Sequence, residues 1–120
     1  MSTADSISTA ISAHGAWKRR LADAIANGRS EFTAATVRAD RQCEFGCWLY
    51  GLPAGEQRKQ ECVRVREFHA KFHQEAANTL ALALAGKKAE AERSMALGGP
   101  FAVASSALTM AMMDWRQKVS

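Results

Sequence analysis

A chain of 120 residues has the length of one domain and leaves no room for a catalytic domain joined to a regulatory one. Hydrophobic residues make up 48% of it and charged residues 23%, which is the composition of a folded chain and not of a disordered one. Sixteen Lys and Arg against twelve Asp and Glu give a net charge of +4, too weak and too scattered to indicate nucleic acid as a partner.

The sequence shows no targeting signal. Met1–Ala10 has no basic residue and therefore lacks the charged start of a signal peptide. The most apolar run, Leu80–Ala85, is far shorter than the ~20 residues that cross a bilayer. Three cysteines without an export signal are expected to stay reduced. We therefore expect a cytoplasmic protein without membrane insertion, whose cysteines are metal ligands, reactive thiols or core residues.

The first predicted helix covers Ser6–Asn27, where apolar side chains recur at three- and four-residue steps and form one buried stripe. Gly28 ends this helix, because glycine readily takes the left-handed conformation that closes a helix. The next stretch, Arg29–Ala39, is polar, and its structure is ambiguous from the sequence. The stripe of the first helix consists of Ile7, Ile11, His14, Trp17, Leu21 and Ile25.

A short helix is predicted after Asp40, a good N-terminal cap, and runs through Tyr50 to a stop at Gly51. Leu52–Gly55 contains proline and glycine and is predicted to be a turn. A long helix is predicted over Glu56–Ala85. Its buried stripe consists of Cys62, Val65, His69, Phe72, His73, Ala76, Leu80 and Ala83.

Two more helices are predicted in the remaining sequence. The first, Lys87–Leu97, ends at a glycine pair, and Pro100 suits the first turn of the last helix, where its missing N–H costs nothing. No strand pattern competes with these segments. We therefore predict an all-α fold: an antiparallel four-helix bundle with an additional short helix that carries a cysteine motif. The stripe of the last helix consists of Phe101, Ala104, Leu108, Ala111, Met112 and Trp115.

All three histidines lie on these apolar stripes. His69 and His73 are four residues apart, so on a helix both imidazoles project from one face about 6 Å apart and can share a metal ion. His14 faces the same core, and Cys43 occupies the third position of the short helix. A single histidine on an apolar face is more often a hydrogen-bonded core residue than a ligand. Three such histidines are costly to bury without partners, which favours a metal site.

The cysteine segment also resembles a known family. Cys43–Gly51 is similar to the Cys-x-Phe/Leu-Gly-x-Trp-Leu-x-Gly signature of the chemoreceptor zinc-binding (CZB) domain. His14–Trp17 matches the His-x-x-Trp element that precedes this signature in the family, and His69–His73 matches the His-x-x-x-His helix that follows it. The resemblance spans about Ser6–Trp115 of a single domain that we assign to residues 1–120.

The resemblance implies a helical domain that binds one zinc ion through His14, Cys43, His69 and His73. Members of the family regulate bacterial signalling proteins of the chemotaxis or cyclic-di-GMP type, either attached to chemoreceptors or diguanylate cyclases or standing alone. Both zinc sensing and the sensing of oxidants such as hypochlorous acid are attributed to them. Known members are homodimers, and the last helix here is apolar on more than one face, as a dimer contact requires. The output domain or partner protein is expected in another polypeptide or a further part of the same one.

The sequence departs from the family pattern at Cys47, where members usually have a basic residue. Cys47 lies four residues after Cys43, so the two thiols share a helix face. Cys47 is then a small space-filling residue, a second thiol that captures oxidised Cys43, or a substitute zinc ligand. Cys62 lies on an apolar stripe and is expected to be a packing residue.

Three functions remain to be weighed for such a site. Catalytic zinc needs an open position, whereas four protein ligands close the coordination shell, and Ala70 stands where an HExxH protease has its general base. We therefore expect no enzymatic activity. A purely structural zinc that clamps the helices is the alternative to a sensor. The sequence leaves open whether a sensor would respond to zinc or to oxidants.

Overall fold

The computed structural model describes residues 2–119, with the side chain of Gln42 left out, and those residues contain helices and no strand. This confirms the all-α prediction, while the antiparallel four-helix arrangement stays a prediction. A 3-10 turn, Asp40–Gln42, lies between the third and fourth helices. In chain order the helices are α1 (Thr3–Gly15), α2 (Trp17–Asn27), α3 (Ala34–Arg38), α4 (Glu44–Tyr50), α5 (Ala54–Gln57), α6 (Gln60–Leu84), α7 (Lys88–Met95) and α8 (Pro100–Val119).

The first predicted helix is divided into α1 and α2 at a single residue. Ala16 keeps right-handed helical angles (φ −64°, ψ −21°), so the chain hardly leaves the helical conformation there. Helix α1 begins earlier than predicted, at Thr3, because Ser2 is its N-cap and forms a capping box with Asp5. Gly28 ends α2 in the left-handed conformation (φ 69°), as predicted.

The short helix that carries the cysteine begins later than predicted. Asp40 is not its N-cap, and Cys43 is not its third residue: Asp40 begins the 3-10 turn, and Cys43 is the N-cap of α4. The Cys43 sulfur accepts a hydrogen bond from the Gly46 N–H at 3.2 Å, which is the contact that a capping oxygen would make. Asp40 instead uses its carboxylate to accept the Tyr50 hydroxyl at 2.8 Å.

The long helix is also shorter than predicted at its start. Lys59 has an extended backbone (φ −64°, ψ 140°), which separates the single turn of α5 from α6. As a result α5 takes in part of the predicted Leu52–Gly55 turn. The later helices keep their predicted order, and α8 begins at Pro100 as expected.

The core is built around α6, which contacts α2, α3, α7 and α8, while α1 contacts α8. Every residue of the stripes predicted for α6 and α8 is buried. In the first helix Ile11 and Trp17 are half-buried and the other four stripe residues are buried. Each large apolar side chain buried in this way contributes about 1.5–3 kcal/mol to the free energy of unfolding. Burial of these stripes therefore makes a large contribution to the stability of the helical frame.

One helical stretch among the described residues, Lys88–Val119, is long and apolar enough to cross a membrane by length and composition alone. It was not apparent in the sequence because serine, threonine and glycine interrupt its apolar residues. The turn around Gly98 divides it into α7 and α8, whose buried side chains pack against α6. A core helix satisfies the same criterion, so this is weak evidence for a span, and the absence of membrane insertion stays a prediction.

Candidate metal centre

Four side chains converge where α1, α4 and α6 meet. His14 lies on α1, Cys43 caps α4, and His69 and His73 lie one turn apart on α6. One nitrogen of each imidazole and the cysteine sulfur all lie within 4.8 Å of one another. The three histidines are buried and Cys43 is half-buried. The structure thus brings together all four residues that the sequence nominated.

The other two cysteines lie apart from this cluster. Cys47 is exposed, and its thiol donates a hydrogen bond to the Arg41 carbonyl at 3.2 Å. Cys62 is fully buried among apolar side chains, as expected for a packing residue. The geometry therefore gives no support to Cys47 as a substitute ligand, while its role as a second thiol for Cys43 stays a hypothesis.

The closest donor atoms have the spacing that a shared cation requires. The Nε2 atoms of His69 and His73 are 3.1 Å apart, and the Cys43 sulfur is 3.2 Å from His69 Nε2. A tetrahedral zinc ion with nitrogen ligands at ~2.0–2.1 Å places those nitrogens about 3.3 Å apart. Three imidazole nitrogens and one thiolate also form the mixed nitrogen and sulfur set that zinc accepts. The residues present fit a zinc ion.

Backbone carbonyls orient two of the imidazoles. The Nδ1–H of His14 donates to the Ala10 carbonyl at 2.8 Å, and the Nδ1–H of His73 donates to the Val37 carbonyl at 2.8 Å. A carbonyl only accepts, so both Nδ1 atoms carry the proton and both neutral rings have an unprotonated Nε2. Val37 lies in α3, whose last turn has carbonyls without a partner inside the helix. Sequence reasoning missed these contacts because any residue type can offer a carbonyl.

Aromatic side chains separate the cluster from much of the solvent. Phe45 and Phe72 meet the His14 ring edge to face, with ring centres 5.8 and 5.2 Å away. Trp48 stacks on Phe45 at 5.5 Å and in turn contacts Trp115 of α8 at 5.6 Å. The tryptophan and phenylalanine of the cysteine motif therefore connect the site to the apolar core.

Burial controls the protonation of the metal-free site. It lowers the pKa of His14 to about 4, because the charged ring loses its water, and the Ala10 carbonyl only partly offsets this. Burial is also the main cause that lowers the pKa of His69 and of His73. The same desolvation raises the pKa of the Cys43 thiol, and the Gly46 N–H only partly opposes it. At neutral pH the three imidazoles are thus neutral, and Cys43 needs the metal charge to become a thiolate.

A cleft of about 590 Å³ reaches the cluster from the surface. His14, Cys43 and His73 are among the residues that line this cleft, together with apolar side chains that include Trp17 and Trp48. Small solutes can therefore approach the cysteine sulfur from this side.

The chain was also compared with known proteins. The family model of the chemoreceptor zinc-binding domain matches residues 14–80, which is more than half of the chain and includes all four clustered residues. Neither the curated proteins nor the solved structures gave a match.

The lowered histidine pKa values predict how many protons zinc binding releases. At pH 7.0 the uptake of one zinc ion should release about one proton, from the Cys43 thiol, because the imidazoles are already neutral. At pH 5.5 the release should stay below about two protons, since His14 and His69 remain neutral there. Isothermal titration calorimetry in buffers of different ionisation enthalpy measures this number.

Three histidines with ordinary pKa values would instead be about nine-tenths protonated at pH 5.5 and would raise the release towards four protons. That result would show that the imidazoles are not buried as neutral rings before zinc binds.

Proposed function

The chain belongs to the chemoreceptor zinc-binding domain family, and on this basis we propose that it is a sensory and regulatory domain of bacterial signalling. Its zinc ligands in this proposal are His14, Cys43, His69 and His73. The single observation that carries the proposal is the convergence of these four donors, all inside the segment that the family model matches. When bound, zinc would supply the positive charge that keeps the Cys43 sulfur ionised at neutral pH.

The double role of Cys43 supports a responsive site. Its sulfur is at once a metal donor and the N-cap acceptor of α4, through the Gly46 N–H. Loss of the sulfur as an acceptor would remove a ligand and the cap of a seven-residue helix together. The signal in this proposal is the resulting displacement of α4.

Oxidants are one proposed input. The Cys43 thiolate attacks hypochlorous acid, and the net reaction gives a sulfenic acid and chloride: sulfur loses two electrons and chlorine gains them. The cleft that reaches Cys43 gives such a small oxidant a path to the sulfur. If Cys47 then attacks the sulfenic sulfur, a disulfide forms and the oxygen leaves as water. Zinc availability is the other proposed input, because it acts on the same four donors.

A structural zinc clamp is the second candidate function. It is favoured by the burial of the histidines, which tie α1 to α6 through the ion. The sensor is favoured by the apolar core, which packs the long helices against one another and does not include the three histidines. Under either candidate we expect no catalysis, because four protein ligands would leave no position on the zinc for a reacting water.

The remaining parts of the proposal concern partners and location. We propose a homodimer in which the exposed apolar residues Val103, Met110 and Met113 of α8 contribute to the contact. We further propose a cytoplasmic domain that acts on an output domain or partner protein of the chemoreceptor or diguanylate cyclase type. We propose no nucleic-acid partner, because the net charge of +4 is weak and scattered along the chain.

The zinc site predicts one zinc ion per chain in protein purified without added metal, measured by elemental analysis. Cys43→Ala should lose more affinity for zinc than the ~10–100-fold that loss of an outer-shell partner costs, because it removes a ligand. Cys47→Ser is the matched control and should bind zinc like the wild type, since Cys47 lies outside the cluster.

Cys43→Ala should also keep its helical circular dichroism, because the apolar stripes hold the frame. Unfolding of this variant at room temperature would favour the structural clamp. Wild-type protein that contains almost no zinc would contradict the site itself.

The oxidant input predicts that stoichiometric hypochlorite releases zinc to a chromogenic chelator. Peptide mass spectrometry should find the first oxidation at Cys43 or as a Cys43–Cys47 disulfide. Cys62 should react last, because it is buried and its pKa is raised by that burial. Oxidation confined to methionines, with zinc retained, would contradict the oxidant switch and leave zinc availability as the input.

A further inference from the structure

The three histidines of the site differ in the hydrogen bonds that their Nδ1 atoms make. His14 and His73 each donate their Nδ1–H to a backbone carbonyl at 2.8 Å. His69 Nδ1 is fully buried and has no hydrogen-bond partner among the residues that the structure describes. The nearest acceptor is the Asp40 carboxylate, with Oδ2 at 3.7 Å. We propose that Asp40 is the positioning residue for His69, and this inference rests on the proposed zinc function.

The carboxylate oxygen that faces His69 is also held by a tyrosine. Asp40 Oδ2 accepts the Tyr50 hydroxyl at 2.8 Å, and the Arg41 guanidinium lies over the Tyr50 ring, 4.1 Å from its centre. The Asp40 backbone packs against α4 at Gly46, where a Cβ atom would collide with the Asp40 carbonyl. Contacts with α4 thus orient the Asp40 carboxylate towards His69.

A carboxylate in this position selects one tautomer of His69. With the proton on Nδ1, the ring directs its N–H at Asp40 Oδ2, 3.7 Å away, and leaves the lone pair of Nε2 free for a metal ion. The Cys43 sulfur and His73 Nε2, which would bind the same ion, lie 3.2 and 3.1 Å from that Nε2. With the proton on Nε2, the unprotonated Nδ1 would instead face a negative carboxylate. The charge of Asp40 therefore favours the tautomer that binds a metal and makes the ring a stronger donor.

The same short segment supports a second histidine and supplies the sulfur. Residues 37–43 contain the Val37 carbonyl that orients His73, the Asp40 carboxylate that faces His69, and the ligand Cys43. A displacement of this segment would change one ligand and the support of two others together. If loss of the sulfur contact displaces this segment, His69 and His73 would therefore lose their supporting contacts as well.

The test compares zinc affinities of the full chain by competition with a chelator. Asp40→Ala should weaken zinc binding by about 10–100-fold, and Asp40→Asn by a smaller factor, because the amide keeps an acceptor without the charge. Glu44→Gln removes the same charge from a nearby exposed residue and should stay within about twofold of the wild type. Tyr50→Phe should weaken binding less than Asp40→Ala, since it frees the carboxylate without removing it.

A spectroscopic readout separates positioning from a merely structural role. In the zinc-loaded wild type, the Nδ1 proton of His69 should appear far downfield in nitrogen-edited NMR, because the proposal has this N–H donate to the Asp40 carboxylate once zinc is bound. In Asp40→Asn this resonance should move upfield, while the Nδ1 protons of His14 and His73 should stay unchanged. Asp40→Asn decides the question even if Asp40→Ala fails to fold, because asparagine still accepts from Tyr50.

Zinc affinities of Asp40→Asn and Asp40→Ala within about twofold of the wild type would overturn the inference, as would an unmoved His69 resonance. Equal shifts of all three imidazoles would also overturn it, since they indicate a general structural change. These failures leave zinc binding by the wild type intact. A wild type that takes up no zinc would instead overturn the proposed function, so the two failures are distinguishable.

Discussion

Two imidazole nitrogens that face each other at 3.1 Å inside an apolar core need a proton or a cation between them. The Nε2 atom of His73 cannot supply that proton while the ring is neutral. The single ring proton is on Nδ1, which donates it to the Val37 carbonyl. Burial also opposes a second proton on either ring, since it lowers the pKa of both. A divalent cation can be bound by both nitrogens at once, and the sulfur of Cys43 lies next to them as a further ligand.

The chain between α2 and α6 consists of short elements that bring polar groups to the histidines. The last turn of α3 offers a carbonyl, the 3-10 turn offers a carboxylate, and the N-terminus of α4 offers a sulfur, each aimed at the histidines of α1 or α6. The long helices bury their apolar stripes against one another. In the proposed sensor, a change in metal or in sulfur chemistry acts on residues 37–43 while the long helices stay packed. That division suits a regulatory domain.

The parts of this structure that follow from repeated patterns were predictable from the sequence. The stripes of α6 and α8 and the four clustered donors follow from helical periodicity and from a motif with fixed spacing. The predicted N-cap of α4, Asp40, was wrong. Aspartate is the better cap in general, and the sequence does not show that the Asp40 carboxylate accepts the Tyr50 hydroxyl instead. The supporting carbonyls could not be predicted, because they depend on how the chain packs and not on residue type.

The central claim, a zinc ion held by three imidazoles and one thiolate, is tested most directly by X-ray absorption at the zinc edge on the zinc-loaded protein. The account predicts one sulfur neighbour at about 2.3 Å and three nitrogen neighbours at ~2.0–2.1 Å, with the multiple scattering that imidazole rings produce. Cys43→Ala should remove the sulfur signal. A wild-type spectrum without sulfur, or one with two or more sulfur neighbours, would contradict the account.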